Sequence, residues 1–352
     1  MRKRLIIFTT FFLLGKLAIS QDPFFSQFYN SPVYLNPALA GCGQNNGRFA
    51  VATRLQWIRL TSPMKYISAS VDKTFFNPTG DGTQLFSGGL MVDHFSEGYL
   101  NNTTLSVPLA KNWGGNTNGD CREVFFSLAL QPGVTAGAVN RDKFLFIDQL
   151  GNTGPNGNVS GVEAFQNSGR FYFTMGAGGL VCYKNSMLGL SVHNLNEPAT
   201  GIIGSPDASK LPRRFSAHAS HIFTNGYAQI KPTVIYQQQG NSKMFSMGAL
   251  IDWPENRFAL SVWYKDNWRA QNNSFTIGGV LKLGSRKKLG NGNTDHVSSL
   301  GISYDIEATS PNVRKTYGSA EMGFTTDFNT SAEIECPRIT GICNVKYPWE
   351  FF

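Results

Sequence analysis

Apolar and polar residues alternate along most of this chain. In RFAVATRLQWIRL, Phe49, Val51, Leu55 and Trp57 share one face, while Ala50, Ala52, Arg54 and Gln56 share the other. EVFFSLALQPG groups Val124, Phe126, Leu128 and Leu130, and RFYFTMGAGGLVCY groups Phe171, Phe173, Met175, Ala177 and Val181. A period of two is the repeat of a β-strand, whose successive side chains point to opposite faces. The opposite faces are mostly small or polar, with Phe125 the exception. SMLGLSVHN, LPRRFSAHASHIF, AQIKPTVIYQQQ, RFALSVWYKD, SFTIGGVLKL, VSSLGISYDI and SAEMGFTTDF carry the same alternation. Helical periodicity is nearly absent.

The pattern predicts about fourteen strands between Arg48 and Phe328, separated by turn clusters such as NPTGDG, TNG, DWPEN and LGNGNTD. Each is about as long as a tilted membrane strand. The fold class is therefore all-β, a transmembrane antiparallel β-barrel of about 14 strands in an outer membrane. Closure pairs every backbone group in a solvent that offers no hydrogen bonds. A secreted sandwich or β-helix would show the same alternation. Aromatics at or near strand ends favour the barrel: Trp57, Phe95, Tyr99, Trp113, Tyr183, Tyr236, Trp263 and Trp268 suit two interfacial girdles. An even strand count puts both ends on one side. If that side is periplasmic, the long connections Gly137 to Gly169, Asn196 to Leu211 and Glu307 to Tyr317 face outward. The last strand, with Glu321, Gly323, Phe324, Thr326 and Phe328, resembles the closing pattern that barrel-assembly machinery recognises.

The flanks differ from the barrel. Arg2, Lys3 and Arg4 precede an apolar run, Leu5 to Gly15, and the small-residue pattern Ala18-Ile-Ser20. Residues 1–20 thus read as a signal peptide cleaved after Ser20. Gln21, not cysteine, follows, which argues against a lipid anchor. Residues 21–47 contain Ser31-Pro32 and Asn36-Pro37, which break strand and helix alike. This periplasmic or lumenal segment is expected to act as a plug or partner-binding element. Phe24, Phe25, Phe28, Tyr29 and Tyr34, with Asn36 and Pro37, would pack into the barrel's mouth or lumen. Residues 48–328 form the barrel. Residues 329–352 form a periplasmic tail, read either as a loose extension or as a docking peptide anchored by Tyr347, Trp349, Phe351 and Phe352. Pro337 and Pro348 argue against a further strand there.

Composition narrows the chemistry. A chain of 352 residues with 37 glycines, 27 phenylalanines and only 15% charged residues is unlike a water-soluble enzyme. The net charge is +8, of which Arg2, Lys3, Arg4 and Lys16 supply four, so the mature chain is too mildly basic to suggest nucleic acid. Five cysteines without CxxC spacing indicate no zinc site. Cys336 and Cys343 make the best candidate disulfide in an oxidising periplasm. His218 and His221, three apart in a strand, face opposite sides and cannot share a metal. Ser191 and His193 do share a face, but it looks toward the lumen, away from any lipid substrate. The glycines of GAGG, Gly176 to Gly179, lack a strand-turn-helix setting for phosphate and read as relief of crowding in a curved sheet. No enzyme activity, cofactor or metal is indicated. Arg54, Gln56, Glu123 and Gln131 would suit a wet interior, so a transporter or porin for small or hydrophobic solutes is the alternative function.

QDPFFSQFYNSPVYLNPALAG, at the predicted mature N-terminus, resembles the start of PorP/SprF family proteins, outer-membrane components of the type IX secretion and gliding apparatus of Bacteroidetes. LGLSVHNLNEP, LPRRFSAHASHIF, IKPTVIYQQQG and LGISYDI followed by YGSAEMGFTTDF resemble later family segments in the same order. Phe28 stands where a second tyrosine is common, and SAEM replaces a more usual histidine-containing sequence. The resemblance implies a non-enzymatic barrel of the Gram-negative cell outer membrane that supports secretion and surface anchoring of large adhesins bearing a type B C-terminal domain, in gliding motility. It implies as partners the adhesin, other type IX secretion and gliding components, and outer-membrane lipid.

Overall fold

The computed structural model describes residues 24–42, 47–76, 84–113, 116–117, 120–121, 124–140, 150–151, 154–155, 169–201, 209–253, 256–267, 272–283, 297–308 and 317–328. Residues 1–23, His296, Trp268 and 329–352, with Cys336 and Cys343, lie outside the described residues.

The barrel has fourteen strands. They are β1 (Gly47–Gln56), β2 (Met64–Phe76), β3 (Gln84–Glu97), β4 (Leu100–Ser106 continuing as Leu109–Trp113), β5 (Val124–Val139), β6 (Gly169–Tyr183) and β7 (Ser186–His193). The circuit continues through β8 (Arg214–His221), β9 (Gln229–Gln239), β10 (Ser242–Asp252), β11 (Phe258–Asn267), β12 (Asn272–Lys282), β13 (Val297–Glu307) and β14 (Ser319–Phe328). Both parts of β4 pair with β3 and β5, interrupted where Pro108 has no N–H to give the ladder. Every neighbouring pair is antiparallel, and β1 closes on β14 with Gly47 opposite Phe328 and Gln56 opposite Ser319. The sheet therefore has no open edge, as a span through lipid requires.

Alternation decides which side chains enter the lumen. Leu128, Leu130, Leu190, Ile277 and Ile302 point outward and are exposed, whereas Ser127, Gln131, Ser191, Thr276 and Ser303 point inward and are buried. The outward apolar belt is the lipid-facing surface of a transmembrane barrel. Two of the expected girdle aromatics belong to the other face. Phe95 stacks inside on Tyr66 at 4.5 Å, and Trp263, only 1% exposed, sits in phase with the inward Ala259, Ser261 and Lys265 of β11. Tyr99 and Tyr183 are exposed.

Gly47 and Phe328 share one end, here the near end. Connections 140–168 and 194–213 are the longest and join strands at the far end, as does 308–318. All three expected connections thus share one side, and the exception is 283–296, longer than 308–318 yet at the near end.

Candidate functional site

Residues 24–42 are folded as three short turns: 3₁₀ at Phe28–Asn30, one α-helical turn at Pro32–Leu35 and 3₁₀ at Pro37–Leu39. Pro32 and Pro37 each occupy the first position, where a missing N–H costs nothing. Asn36 separates the last two turns; its side chain accepts a hydrogen bond from Ala38 N at 3.0 Å and so caps the second. Gly41 ends the segment at φ +72°, in the left-handed region that favours glycine.

This segment lies inside the barrel, because its partners come from the inward faces of strands all around the circumference. Ser191 of β7 donates to Leu35 O (2.8 Å), Ser127 of β5 donates to Ala38 O (2.9 Å), and Tyr29 bonds Ser261 of β11 (3.2 Å). Phe28 packs edge-on against Trp263 with ring centroids 5.0 Å apart. Arg214 of β8 lies over the Tyr34 ring and donates from Nη1 to its hydroxyl at 2.6 Å. The chain descends from Ser26, beside the far ends of β13 and β14, to Gly41 beside Thr74 of β2, and then enters β1.

The strongest anchor is a buried cluster of two cations and two anions. Arg54 of β1 contacts Glu321 of β14 and lies 2.8 Å from Asp305 of β13; Lys265 of β11 donates to Asp305 at 2.7 Å. Thr276 adds a further bond to Asp305 at 2.6 Å. The lumenal segment completes this cluster. Ser26 N and Gln27 N donate to the two Glu321 oxygens at 2.7 and 2.8 Å, and Ser26 Oγ receives Arg54 Nη1 at 2.9 Å. Buried charges persist when each is paired and hydrogen-bonded, so the segment and the cluster stabilise one another. Near the other end, Arg48 pairs with Asp72 (3.0 Å) and donates to Leu39 O (2.9 Å), while Gly41 N donates to Asp72 (2.6 Å).

Glycines in the wall make room for this segment. A Cβ at Gly178 would lie 2.1 Å from Asn36 Oδ1, and one at Gly189 would lie 2.1 Å from His218 Nε2, itself 3.2 Å from Asn36 Nδ2. Gly323 of the closing strand would likewise press on Asn30 at 2.3 Å. The GAGG stretch thus does more than relieve sheet curvature: Gly178 is a seat for Asn36. Burial pushes the Cys42 thiol up to about 12, and raises the Tyr29 phenol above its ordinary value, so both stay protonated at neutral pH.

Of the sequence-selected residues, Phe25, Phe28, Tyr29, Tyr34, Asn36 and Pro37 are buried in this interior, and Phe24 is half-buried beside Lys265. Sequence reasoning missed Ser26 and Gln27, which donate to Glu321 and Asp305 while Lys265 donates to Ser26 Oγ; it also missed Asn30, which donates to Gln27, and Asp72, which accepts from Gly41 N. The signal was available: each of those four charges sits in phase with the small, polar face of its strand. His218 is buried inside, whereas His221 bonds Ser186 at 2.8 Å on the outer face. Ser191 is engaged with Leu35 O, so it is not presented as a nucleophile. Among the described residues no three His, Cys, Asp or Glu side chains gather to hold a metal.

The family described as "Type IX secretion system membrane protein PorP/SprF" matches residues 18–335. No curated protein sequence matches the chain. Among solved structures, the P. putida toluene transporter TodX is similar at 11% identity and TM-score 0.46, covering 84% of this chain and 93% of its own. A mutant Rh. blastica porin aligns at 9% identity and TM-score 0.32, over 80% and 98%.

Proposed function

Because the chain belongs to the PorP/SprF family of type IX secretion system membrane proteins, we propose that it is a non-enzymatic outer-membrane barrel supporting the secretion and surface anchoring of large adhesins through their type B C-terminal domain. The single observation that carries this reading is the family match over residues 18–335. The occupied lumen is in keeping with it: segment 24–42, tied to Arg54, Asp305 and Glu321, favours a plugged scaffold over a wide solute pore. In this reading residues 1–20 direct export to the Gram-negative envelope and are removed, residues 21–47 are the plug, and 48–328 are the barrel. Residues 329–352 form a periplasmic tail bridged between Cys336 and Cys343. Cargo docks at the far mouth; other type IX secretion and gliding components meet the near end, and lipid covers the apolar belt.

The test is affinity isolation of the full chain from its native outer membrane in mild detergent, with mass spectrometry of the co-purified proteins. Recovery of a large adhesin through its C-terminal domain is expected. Recovery of the barrel alone, from cells that display adhesin normally, would replace this function with solute transport.

A further inference from the structure

On the outer face of β2 and β4, close to the near end, two lysines stand among apolar residues. Lys73 is in phase with the exposed Val71 and Phe75, and Lys111 stands between the exposed Leu109 and the half-buried Trp113. Phe75 and Trp113 lie beyond them, so both cations are carried inside the aromatic edge of the lipid-facing belt. Each ammonium turns onto aromatic rings. Lys73 Nζ lies 5.6 Å from the centroid of Phe75, and Lys111 Nζ lies 5.3 and 5.2 Å from those of Phe86 and Trp113. Phe75 and Phe86 are directly opposite each other across β2 and β3, so the two cations occupy adjoining rings.

No described carboxylate answers them. Among the described residues, the carboxylates of β1–β6 are Asp72 and Asp93, in phase with the inward face, and Glu97 at the far end of β3. Neither lysine forms an ion pair with any described residue. Two like charges beside lipid repel one another and favour an anion between them. Gly88 leaves room for one. It lies opposite both Lys73 and Leu109, in phase with the outward Phe86 and Leu90. A Cβ there would touch Leu109 Cδ2 at 3.4 Å and Phe75 Cε2 at 3.7 Å, so side chains wall a notch over the glycine. The surroundings choose the source of the anion. A lipid phosphate brings acyl chains that cover Val71, Leu90 and Leu109, whereas a free anion leaves them bare. A headgroup with net negative charge is favoured over a zwitterionic one, whose own ammonium repels the lysines.

We propose that Lys73, Lys111 and the Gly88 notch form a binding site for the phosphate headgroup of an anionic phospholipid. The site rests on the reading of this chain as a membrane barrel and does not depend on which cargo the barrel serves.

The full chain is inserted in nanodiscs of equal phosphatidylglycerol and phosphatidylcholine, released, and weighed intact by native mass spectrometry. Heat-modifiable gel mobility first establishes a closed, inserted barrel, which separates failure of the membrane reading from failure of the site. Phosphatidylglycerol is expected to be retained over phosphatidylcholine roughly twentyfold, about fivefold for each lysine. Lys73→Gln and Lys111→Gln should each lose about fivefold, and the double variant should lose the preference. Gly88→Val keeps both charges but fills the notch, and should also release the lipid. If Gly88→Val does not fold, the lysine variants, which change only outward side chains, carry the test. Equal retention of the two lipids overturns the proposal, as does a preference that the double variant keeps. A preference that folded Gly88→Val keeps overturns the site in favour of diffuse charge attraction. Displacement of the lipid by excess inorganic phosphate overturns it in favour of a free anion, and release as a lipid-free dimer assigns the face to a second copy instead.

Discussion

Replacing Glu321 with alanine should release the lumenal segment while leaving the barrel closed. Glu321 accepts two backbone N–H groups from the segment, at 2.7 and 2.8 Å, and contacts Arg54. Each orphaned buried donor costs about 1–3 kcal/mol. Removing one partner of a buried ion pair costs about 3–5 kcal/mol. These costs overlap, because Arg54 keeps Asp305 at 2.8 Å and an undocked segment rehydrates its own amides. A net loss of about 4 kcal/mol in segment docking follows, which is roughly three powers of ten in the opening equilibrium. Hydrogen exchange of the full chain in nanodiscs, read on peptides within 24–42, should show protection falling by about that factor. Peptides from β1 and β14 should change little, since their ladder does not pass through Glu321's side chain. Glu321→Gln keeps a carbonyl acceptor and should lose less. If protection of 24–42 in Glu321→Ala stays within about threefold of the parent, the cluster is not what holds the segment.

Other perturbations probe the same arrangement from different sides. Deleting residues 24–42 should give a barrel that keeps its heat-modifiable mobility but conducts ions steadily in planar bilayers; conductance equal to that of the full chain would show that the segment does not restrict the lumen. Maleimide at pH 8 should spare Cys42 in the parent and label it in Glu321→Ala, as mass spectrometry of the Cys42 peptide would report. Burial holds that thiol up near 12, above its ordinary value of about 8.5, so its contribution to docking is complete below the ordinary value. That contribution is lost as pH rises toward 12, and labelling should increase over that window. Trp263→Ala removes the ring that Phe28 packs against and should cost about 3–5 kcal/mol, seen as a lower urea midpoint for the gel-mobility transition. Gly189→Ala should crowd His218 against Asn36 and raise exchange around Ala38, with little effect on β7 pairing.

Much of the barrel was legible along the chain because a strand's side chains alternate strictly and lipid accepts only the apolar set. Leu128 and Leu130 outward, with Ser127 and Gln131 inward, follow from parity and solvent alone. The even strand number and its closing strand followed from the same count. Parity also held the answer for Trp263, which shares a face with Ser261 and Lys265; its aromatic character, taken as a membrane-interface signal, pointed the other way. The aromatic opening stretch could be recognised as too apolar and too proline-broken to be a strand or a free arm.

The partners of that stretch were not written in any local pattern. Ser26 meets Glu321 across 295 residues of sequence, and Asn36 reaches His218 across 182. Which inward charge faces which depends on closure of β1 onto β14 and on strand stagger, properties of the whole ring. The sequence by itself determined a closed barrel with an apolar outside and a polar inside. Only the tertiary structure decided that its inward charges pair across the ring and are hydrogen-bonded by its own N-terminal segment, because buried charges are stabilised by three-dimensional neighbours, whatever their separation along the chain.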